Sequence, residues 1–151
     1  MTFRAFAFAA AACLSLSLPA LAADRGTMDE ATAMAKRAAA LIKSDGAEKA
    51  YAAFNSKDPR FFDRDLYVLV SDYNGVAVAH GANPTLVGKN FLANTDADGK
   101  EFVKERITLA KAGKEFTQDY KYKNPQTGAV EPKSSYCVPL PEQVVCVGIY
   151  K

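Results

Sequence analysis

The sequence predicts an α+β domain built on one antiparallel sheet. Helical and strand patterns form separate groups along the chain, and neighbouring strands are joined by short turns, which is typical of antiparallel pairing and not of alternating βαβ units. The last third of the chain is the clearest part, since three strand patterns follow one another there through two turns. The predicted order is helix, helix, strand, strand, loop, helix and three strands within 151 residues, the length of one domain.

The N-terminal segment is typical of a secretory signal peptide. Arg4 supplies a positive charge, residues 5–18 form an apolar run, and residues 20–22 (Ala-Leu-Ala) fit a cleavage pattern. The run is shorter than the about 20 residues that span a bilayer core, and Cys13 lacks the preceding Leu of a lipid-attachment site. We therefore expect a signal peptide over residues 1–22, cut after residue 22 or 23. The remaining domain would be soluble and periplasmic or secreted, without membrane insertion.

The charge balance gives no indication of two classes of partner, nucleic acid and anionic membranes. The chain has 19 basic and 17 acidic side chains, a formal charge of +2. Such a balance gives no electrostatic reason to expect binding to nucleic acid or to an anionic membrane.

Two helices open the domain. Thr27 and Glu30 form a capping box at the start of an Ala-rich helix, and a Ser-Asp-Gly sequence ending at Gly46 interrupts it. Asp45 is then expected to cap a second, short helix. The first helix has a narrow apolar stripe of mostly small residues, made by Met28, Ala31, Ala35, Ala38 and Ile42.

The first two strands, residues 66–71 and 76–80, are predicted to form a hairpin around Asn74-Gly75, the strongest signal for a two-residue turn. This turn would place Leu69 opposite His80 and Ser71 opposite Val78. An irregular loop over residues 81–95 follows. A helix is expected from residue 99 to residue 112, ended by Gly113 in a left-handed conformation.

Three strands complete the sheet, over residues 116–123, 132–139 and 144–150, with a Pro- and Gly-containing turn between the first two. The centre of the last hairpin falls between residues 141 and 142, which places Cys137 directly opposite Cys146. Opposed residues in an antiparallel pair lie close enough for a disulfide, and export favours it. The alternative is a pair of packed free cysteines.

The order of several short motifs resembles single Cache domains. The motifs are Asp65-Leu66-Tyr67-Val68, Asp72 with Asn74-Gly75, Ala79-His80, Asn83-Pro84, Leu86-Val87-Gly88-Lys89-Asn90, Asp96-Ala97-Asp98-Gly99-Lys100, Asn124-Pro125, Thr127-Gly128, Glu131-Pro132-Lys133-Ser134-Ser135-Tyr136 and Val147-Gly148-Ile149-Tyr150-Lys151. The resemblance covers nearly all of residues 23–151. It implies a PAS-like fold, in which a long N-terminal helix packs against a five-stranded antiparallel sheet. It also implies a small-molecule pocket under the loop and helix that follow the second strand.

The resemblance further implies a function. Such domains usually lie outside the membrane on chemoreceptors and sensor kinases, where they sense small ligands, often short carboxylates. No membrane-spanning pattern or signalling domain follows Lys151 in this sequence. We therefore expect an exported ligand-binding domain for a small metabolite, with a membrane receptor or kinase as a candidate partner. The alternative is a periplasmic interaction subunit of such a receptor that binds no metabolite.

Five residues are candidates for the ligand site. His80, the single histidine, lies where the loop begins; it is either a polar strand end or a hydrogen-bond donor to a carboxylate. Lys133 would neutralise that carboxylate, and Tyr120 and Tyr122, on one strand face, would supply wall and hydroxyl groups. Tyr136 alternates with Lys133, so only one of the two faces the pocket unless a bulge intervenes. The alternative is a solvated strand edge with aromatic cross-strand pairs.

The remaining motifs predict no catalysis. The sequence offers no nucleophile–base pair, metal set or phosphate-binding glycine loop, so we expect neither enzyme activity nor a cofactor. Acidic residues between Asn94 and Glu105 match much of a calcium loop, but its incoming helix is missing. Asp98, with Glu101, is better explained as the cap of the following helix. Arg106, on that helix beside Ile107, is a lesser candidate for the ligand site and is expected at the surface.

Overall fold

A computed structural model describes residues 24–151, and the expected signal peptide with its cleavage site lies outside these residues. The α-helices are α1 (Met28–Asp45), α2 (Ala47–Asn55) and α3 (Phe102–Lys111), and a 3-10 helix covers Pro84–Leu86. The strands are β1 (Phe62–Asp63), β2 (Leu66–Asp72), β3 (Ala77–His80), β4 (Phe116–Lys123), β5 (Val130–Leu140) and β6 (Gln143–Tyr150). The predicted α+β class and all five predicted strands are confirmed. The two-residue β1 is the addition.

The strands form one antiparallel sheet with two covered faces. Its order is β1-β2-β6-β5-β4, and β3 also pairs with β2. Helices α1 and α2 cover one face, where alternate residues of β2 and β6 such as Val68, Val70 and Val145 are buried. Helix α3 and the loop before it cover the other face. The N-terminal helix therefore packs on the sheet as the PAS-like fold requires.

Local capping is confirmed for α1 and wrong for α2. The Thr27 hydroxyl accepts a hydrogen bond from the Glu30 N–H (3.3 Å), and the Glu30 carboxylate accepts one from the Thr27 N–H (2.8 Å). Asp45 does not cap α2, because it is still the last residue of α1. Gly46 occupies the cap position, and the Asp45 carboxylate instead pairs with Lys49 Nζ at 2.6 Å.

The turn between β2 and β3 has three residues, 73–75, and not the expected two. The Asp72 N–H donates to the Val76 carbonyl (2.9 Å), so these two residues close the turn. The Asp72 carboxylate also accepts hydrogen bonds from the N–H groups of Asn74 (2.9 Å) and Val76 (2.8 Å). These side-chain contacts stabilise the longer turn, which an Asn-Gly pattern alone does not reveal.

A register shift between Val70 and Ser71 compensates for the longer turn. Ser71 lies opposite Ala77, and not opposite Val78 as the two-residue turn would require. Beyond the shift the expected register returns, with Leu69 opposite His80. Because of this irregularity, the sequence-based register is correct at the far end of the hairpin, which carries the candidate site residue, and wrong near the turn.

The segment before α3 is fixed by Asp96 and not by Asp98. The Asp96 carboxylate accepts hydrogen bonds from the N–H groups of Asp98 (2.9 Å), Lys100 (2.9 Å) and Lys121 (3.0 Å). The last of these ties the loop to β4. Helix α3 begins at Phe102 without a side-chain cap, so the predicted capping role of Asp98 is wrong. Within residues 24–151, no group of three or more His, Cys, Asp or Glu side chains is arranged to hold a metal ion.

The C-terminal hairpin agrees with its prediction. Cys137 and Cys146 are directly opposed in β5 and β6 and form a disulfide, with Cα atoms 4.2 Å apart. Both cysteines are buried beside Ala110 of α3. The disulfide thus crosslinks the two strands under the C-terminal half of that helix.

Candidate ligand-binding site

A small cavity lies between the sheet and its cover on the α3 side. Its volume is about 30 Å³, and since one water needs about 10–15 Å³ by this measure, it has room for about two waters. Four elements and the loop contribute the lining residues, which are Tyr67, Leu69, Ser71, Ala77, His80, Phe91, Phe102, Val103, Arg106, Tyr120 and Tyr122. The lining is mostly aromatic, with a few polar groups among the rings, as is typical of small-molecule sites.

The loop over the cavity is pinned to the edge of β3. The Gly88 N–H donates to the Ala77 carbonyl (2.8 Å), and the Ala77 N–H donates to the Lys89 carbonyl (3.0 Å). Further along, the Phe91 N–H donates to the Gly75 carbonyl (2.8 Å). These backbone hydrogen bonds make the loop an additional edge segment, and they hold the Phe91 ring against the cavity.

Arg106 lines the cavity from α3 and is 1% exposed, so its predicted surface location is wrong. Its Nε donates to Gln118 Oε1 at 3.1 Å. Its guanidinium carbon lies 5.1 Å from the ring centroid of Tyr120 and 5.6 Å from that of Phe102. Among the residues that the structure describes, Nη2 has no hydrogen-bond partner and the guanidinium has no carboxylate within 4.0 Å. A buried cation therefore borders the cavity without a carboxylate in contact with it.

His80 lies at the end of β3, 4% exposed, with its ring stacked on Tyr67 at a centroid distance of 5.1 Å. Its Nδ1 accepts a hydrogen bond from the Asn83 N–H at 3.0 Å, so in the neutral ring the proton is on Nε2. The pKa of His80 is lowered to about 4. Burial is the main cause, followed by the nearby charge of Lys133; a backbone hydrogen bond partly opposes the shift, and the charge of Arg106 adds to it. The ring is therefore neutral at pH 7, with Nε2–H as its donor.

Lys133 lies on the same sheet face but does not line the cavity. Its Nζ donates to the hydroxyls of Tyr67 (2.7 Å) and Tyr150 (3.2 Å), and it lies 4.1 and 4.4 Å from the centroids of their rings. The side chain is 3% exposed. Burial, followed by repulsion from Arg106, lowers the pKa of Lys133 well below its usual value. The Tyr67 ring thus lies between this amine and the ligand space.

The tyrosines divide between the two faces of the sheet. Tyr120 and Tyr122 both line the cavity, and the Tyr120 hydroxyl shares a hydrogen bond with Ser135 Oγ at 3.0 Å. Tyr136 lies on the opposite face, against the α1 side of the core, and its hydroxyl donates to Glu115. Of the five sequence-predicted residues, the structure therefore brings His80, Tyr120 and Tyr122 together around the cavity and leaves Lys133 behind Tyr67 on the same sheet face. Tyr136 lies on the other face, as strict strand alternation from Lys133 requires.

An open groove of about 410 Å³ adjoins the cavity. Both are lined by Tyr67, His80 and Tyr122, so these rings form the wall between the two spaces. On the outer side the groove is bordered by the start of the loop and by the turn between β4 and β5, through Ala82, Asn83, Leu86, Lys123 and Pro125. The groove therefore lies directly beside the cavity, on the other side of these three side chains.

Sequence reasoning missed Tyr67 and gave Arg106 only as a lesser candidate, although each had a detectable signal. Tyr67 is two residues before Leu69, the partner of His80, and alternation places the three on one face. Arg106 falls in the middle of the apolar stripe of α3 between Val103 and Ala110, so its helical position predicted burial in spite of its charge. Its charge nevertheless favoured a surface location, since buried Arg is rare.

Comparison with known proteins assigns the chain to a family. The model of the family "Single Cache domain 2" matches residues 23–150. The sensor histidine kinase MctS of Rhizobium johnstonii is 37% identical over 91 residues, which are 59% of this chain and 20% of the kinase. This chain therefore spans only about a fifth of that relative. Within residues 24–151, no helix combines the length and apolarity needed to cross a membrane.

Solved structures support the same assignment at the level of the fold. A methyl-accepting chemotaxis protein from Vibrio parahaemolyticus is similar with a TM-score of 0.61 and 23% identity, covering 82% of each chain. A periplasmic sensor domain of a chemotaxis protein gives 0.63 and 24% over 81% of this chain and 88% of the other. A Cache chemosensory domain described as recognising carboxylic acids gives 0.62 and 20%, over 81% and 86%. The chain thus belongs to the single Cache domain 2 family.

Proposed function

We propose that this domain binds a small carboxylate in the cavity between the sheet and α3. The observation that carries the proposal is the buried guanidinium of Arg106, which borders the cavity with Nη2 unpartnered among the described residues. A buried charge without a partner is unfavourable, and an anionic ligand would supply that partner. The carboxylic-acid recognition described for a related Cache domain is consistent with this ligand class.

The other lining groups would complete the recognition of one carboxylate. Nε2–H of the neutral His80 would donate one hydrogen bond to it. The Tyr67 hydroxyl is already used within the protein, because it accepts from Lys133 Nζ at 2.7 Å and is bonded at 3.2 Å to the Tyr150 hydroxyl, whose own proton goes to a backbone carbonyl. Lys133 would therefore hold the Tyr67 ring in place from behind, while Tyr120 and Tyr122 form the apolar wall.

The size of the cavity favours a short ligand and requires a ring to move. Space for about two waters does not hold a carboxylate with its carbon substituent. The wall shared with the groove consists of Tyr67, His80 and Tyr122 side chains. We infer that a ligand enters from the groove when one of these rings rotates, since the opposite wall is the hydrogen-bonded sheet.

Titration with formate, acetate and propionate, followed by calorimetry and by the melting temperature, tests the proposal. Arg106→Gln should weaken binding of the best of these acids by about 10- to 150-fold, the loss of one charge-assisted hydrogen bond. Arg37→Gln, which removes an exposed arginine of α1, is the matched control and should leave the affinity unchanged. An affinity that neither Arg106→Gln nor His80→Gln changes would refute the site. If none of these small acids binds, an interaction subunit without a metabolite becomes the better explanation.

Export of the domain and its signalling partner are also part of the proposal. The signal-peptide pattern supports export with cleavage after residue 22 or 23, and the related chemotaxis domain is described as periplasmic. We infer that the liganded domain reports to a membrane receptor or kinase. The mass of the exported protein tests the first step, since retention of Met1 or lipid on Cys13 would contradict it.

A further inference from the structure

A neutral amide bridges the buried Arg106 and the carboxylate of Glu105. Arg106 Nε donates to Gln118 Oε1 at 3.1 Å, and Gln118 Nε2 donates to Glu105 Oε2 at 2.6 Å and to the Phe102 carbonyl at 2.8 Å. Gln118 is 3% exposed. Its two ends are therefore bonded to a cation on one side and to two acceptors on the other, which fixes the orientation of the amide.

The carboxylate of Glu105 is held on the far side of that amide. Lys100 Nζ lies 2.9 Å from Glu105 Oε2, on the partly exposed outer side of α3. Burial raises the pKa of Glu105, but hydrogen bonds from Gln118 and Lys100 outweigh this, and the net effect is a lowered pKa. Glu105 is thus charged at pH 7. It neighbours Arg106 in sequence, yet the two form no ion pair within 4.0 Å in the described part of the chain.

We propose that Gln118 is a positioning residue that keeps Glu105 from neutralising Arg106, so that the guanidinium remains available to an anionic ligand. This inference rests on the proposed function and adds its specificity determinant. A glutamate at the same position would have nearly the same shape, but it would place a negative charge 3 Å from the guanidinium and compete with the ligand. The neutrality of the Gln118 side chain, and not its size, would then set the affinity for anions.

The decisive variant moves the carboxylate without changing the composition of the network. Glu105→Gln/Gln118→Glu keeps the net charge and lets the new amide donate to the new carboxylate, which now contacts Arg106. We expect acetate binding to be weaker by about tenfold or more, as for the loss of a charge-assisted contact. Glu105→Gln alone is the matched control and should stay within about threefold of the wild type. A double variant that binds acetate as the wild type does would overturn the proposal.

A second measurement needs no ligand. Arg106→Met replaces the guanidinium by an apolar side chain, which should raise the melting temperature of the wild type if the charge is uncompensated. In the double variant, where a carboxylate partners the arginine, the same substitution should lower the melting temperature because it strands a buried negative charge. An equal change in both backgrounds would overturn the proposal. If Arg106→Met raises the melting temperature in one background and lowers it in the other, but no acid binds the wild type, the positioning role would be supported and the carboxylate ligand refuted.

Gln118→Met provides the test if the double variant does not fold. Without the amide, Glu105 can approach Arg106, and acetate binding should fall by about tenfold. Adding Glu105→Gln removes the competing charge and should restore most of the affinity. A purely structural role of Gln118 predicts no such recovery, so its absence would overturn the proposal.

Discussion

Acidification should destabilise this domain, and His80 accounts for a defined part of the effect. The ring is buried, and its pKa is lowered from 6.5 to about 4 by burial first and by the nearby charge of Lys133 second. Between these two values the unfolded chain binds a proton that the folded chain does not. Because the unfolded state binds more protons in this window, the free energy of unfolding rises with pH and falls on acidification.

The magnitude follows from the two pKa values. One pKa unit corresponds to about 1.36 kcal/mol, and integration from pH 7.5 to pH 4.5 gives a loss of about 2.5 kcal/mol from this group alone. Carboxylates with lowered pKa values, such as Glu131 and Asp119, begin to lose their contribution at about pH 5, and Lys133, whose pKa is also lowered, adds its own pH dependence. Because these contributions are common to the wild type and to a His80 variant, the difference between the two isolates the histidine. A loss of this size is a large part of the stability of a domain.

Urea denaturation followed by circular dichroism, at half-unit steps of pH, measures this effect. The control variant His80→Gln retains an acceptor for the Asn83 N–H, which is bonded to His80 Nδ1 at 3.0 Å in the wild type, but it cannot titrate. We expect the difference in unfolding free energy between wild type and variant to change by about 2.5 kcal/mol over the range. A pH-independent difference would show that the ring is solvated or already charged, and the assignment of a neutral donor would fail.

Three further predictions concern stability. Replacing Cys137 and Cys146 by Ala should lower the free energy of unfolding in urea by about 2–3 kcal/mol, the value for closing a short loop, and an unchanged urea midpoint would contradict this. Gly148→Ala should cost about 1–3 kcal/mol in the same assay, because the added Cβ would lie 2.3 Å from Ser135 Oγ and 2.5 Å from Lys133 Cε; wild-type stability would show that both side chains can move away freely. Thr27→Ala, which removes the cap of α1, should cost about 0.5–2 kcal/mol, with unaltered thermal melting as the contrary result.

Most of the fold could be predicted from the sequence because each element has a local signal. Alternation marks the strands, the box at Thr27 and Glu30 marks the start of α1, and symmetry about the last turn fixes the partners of the disulfide. The errors arose where a side chain changed the backbone course in a way that periodicity does not record. Asp72 lengthens the first hairpin turn, and Asp96, not Asp98, fixes the segment before α3.

The candidate site was predictable in its strands and not in its helix. His80, Tyr120 and Tyr122 lie on known faces of predicted strands, so alternation sufficed to group them. Arg106 reaches the cavity from α3, and no local rule states which face of a helix meets which strands of a sheet. For Lys133 the face was predictable, but its position behind Tyr67 depends on the tyrosines of three strands packing around one amine.

The electrostatics of the site connect its stability to its function. Arg106 and Lys133 are both buried on one side of the sheet, and within the described residues neither forms an ion pair at 4.0 Å or less. Each raises the free energy of the folded state without a ligand, and together they lower the pKa of His80. An anion bound beside Arg106 would lower this cost in addition to making its own contacts. Part of its binding energy would then come from strain already present in the unliganded fold, so that a ligand with few atoms can stabilise the domain strongly.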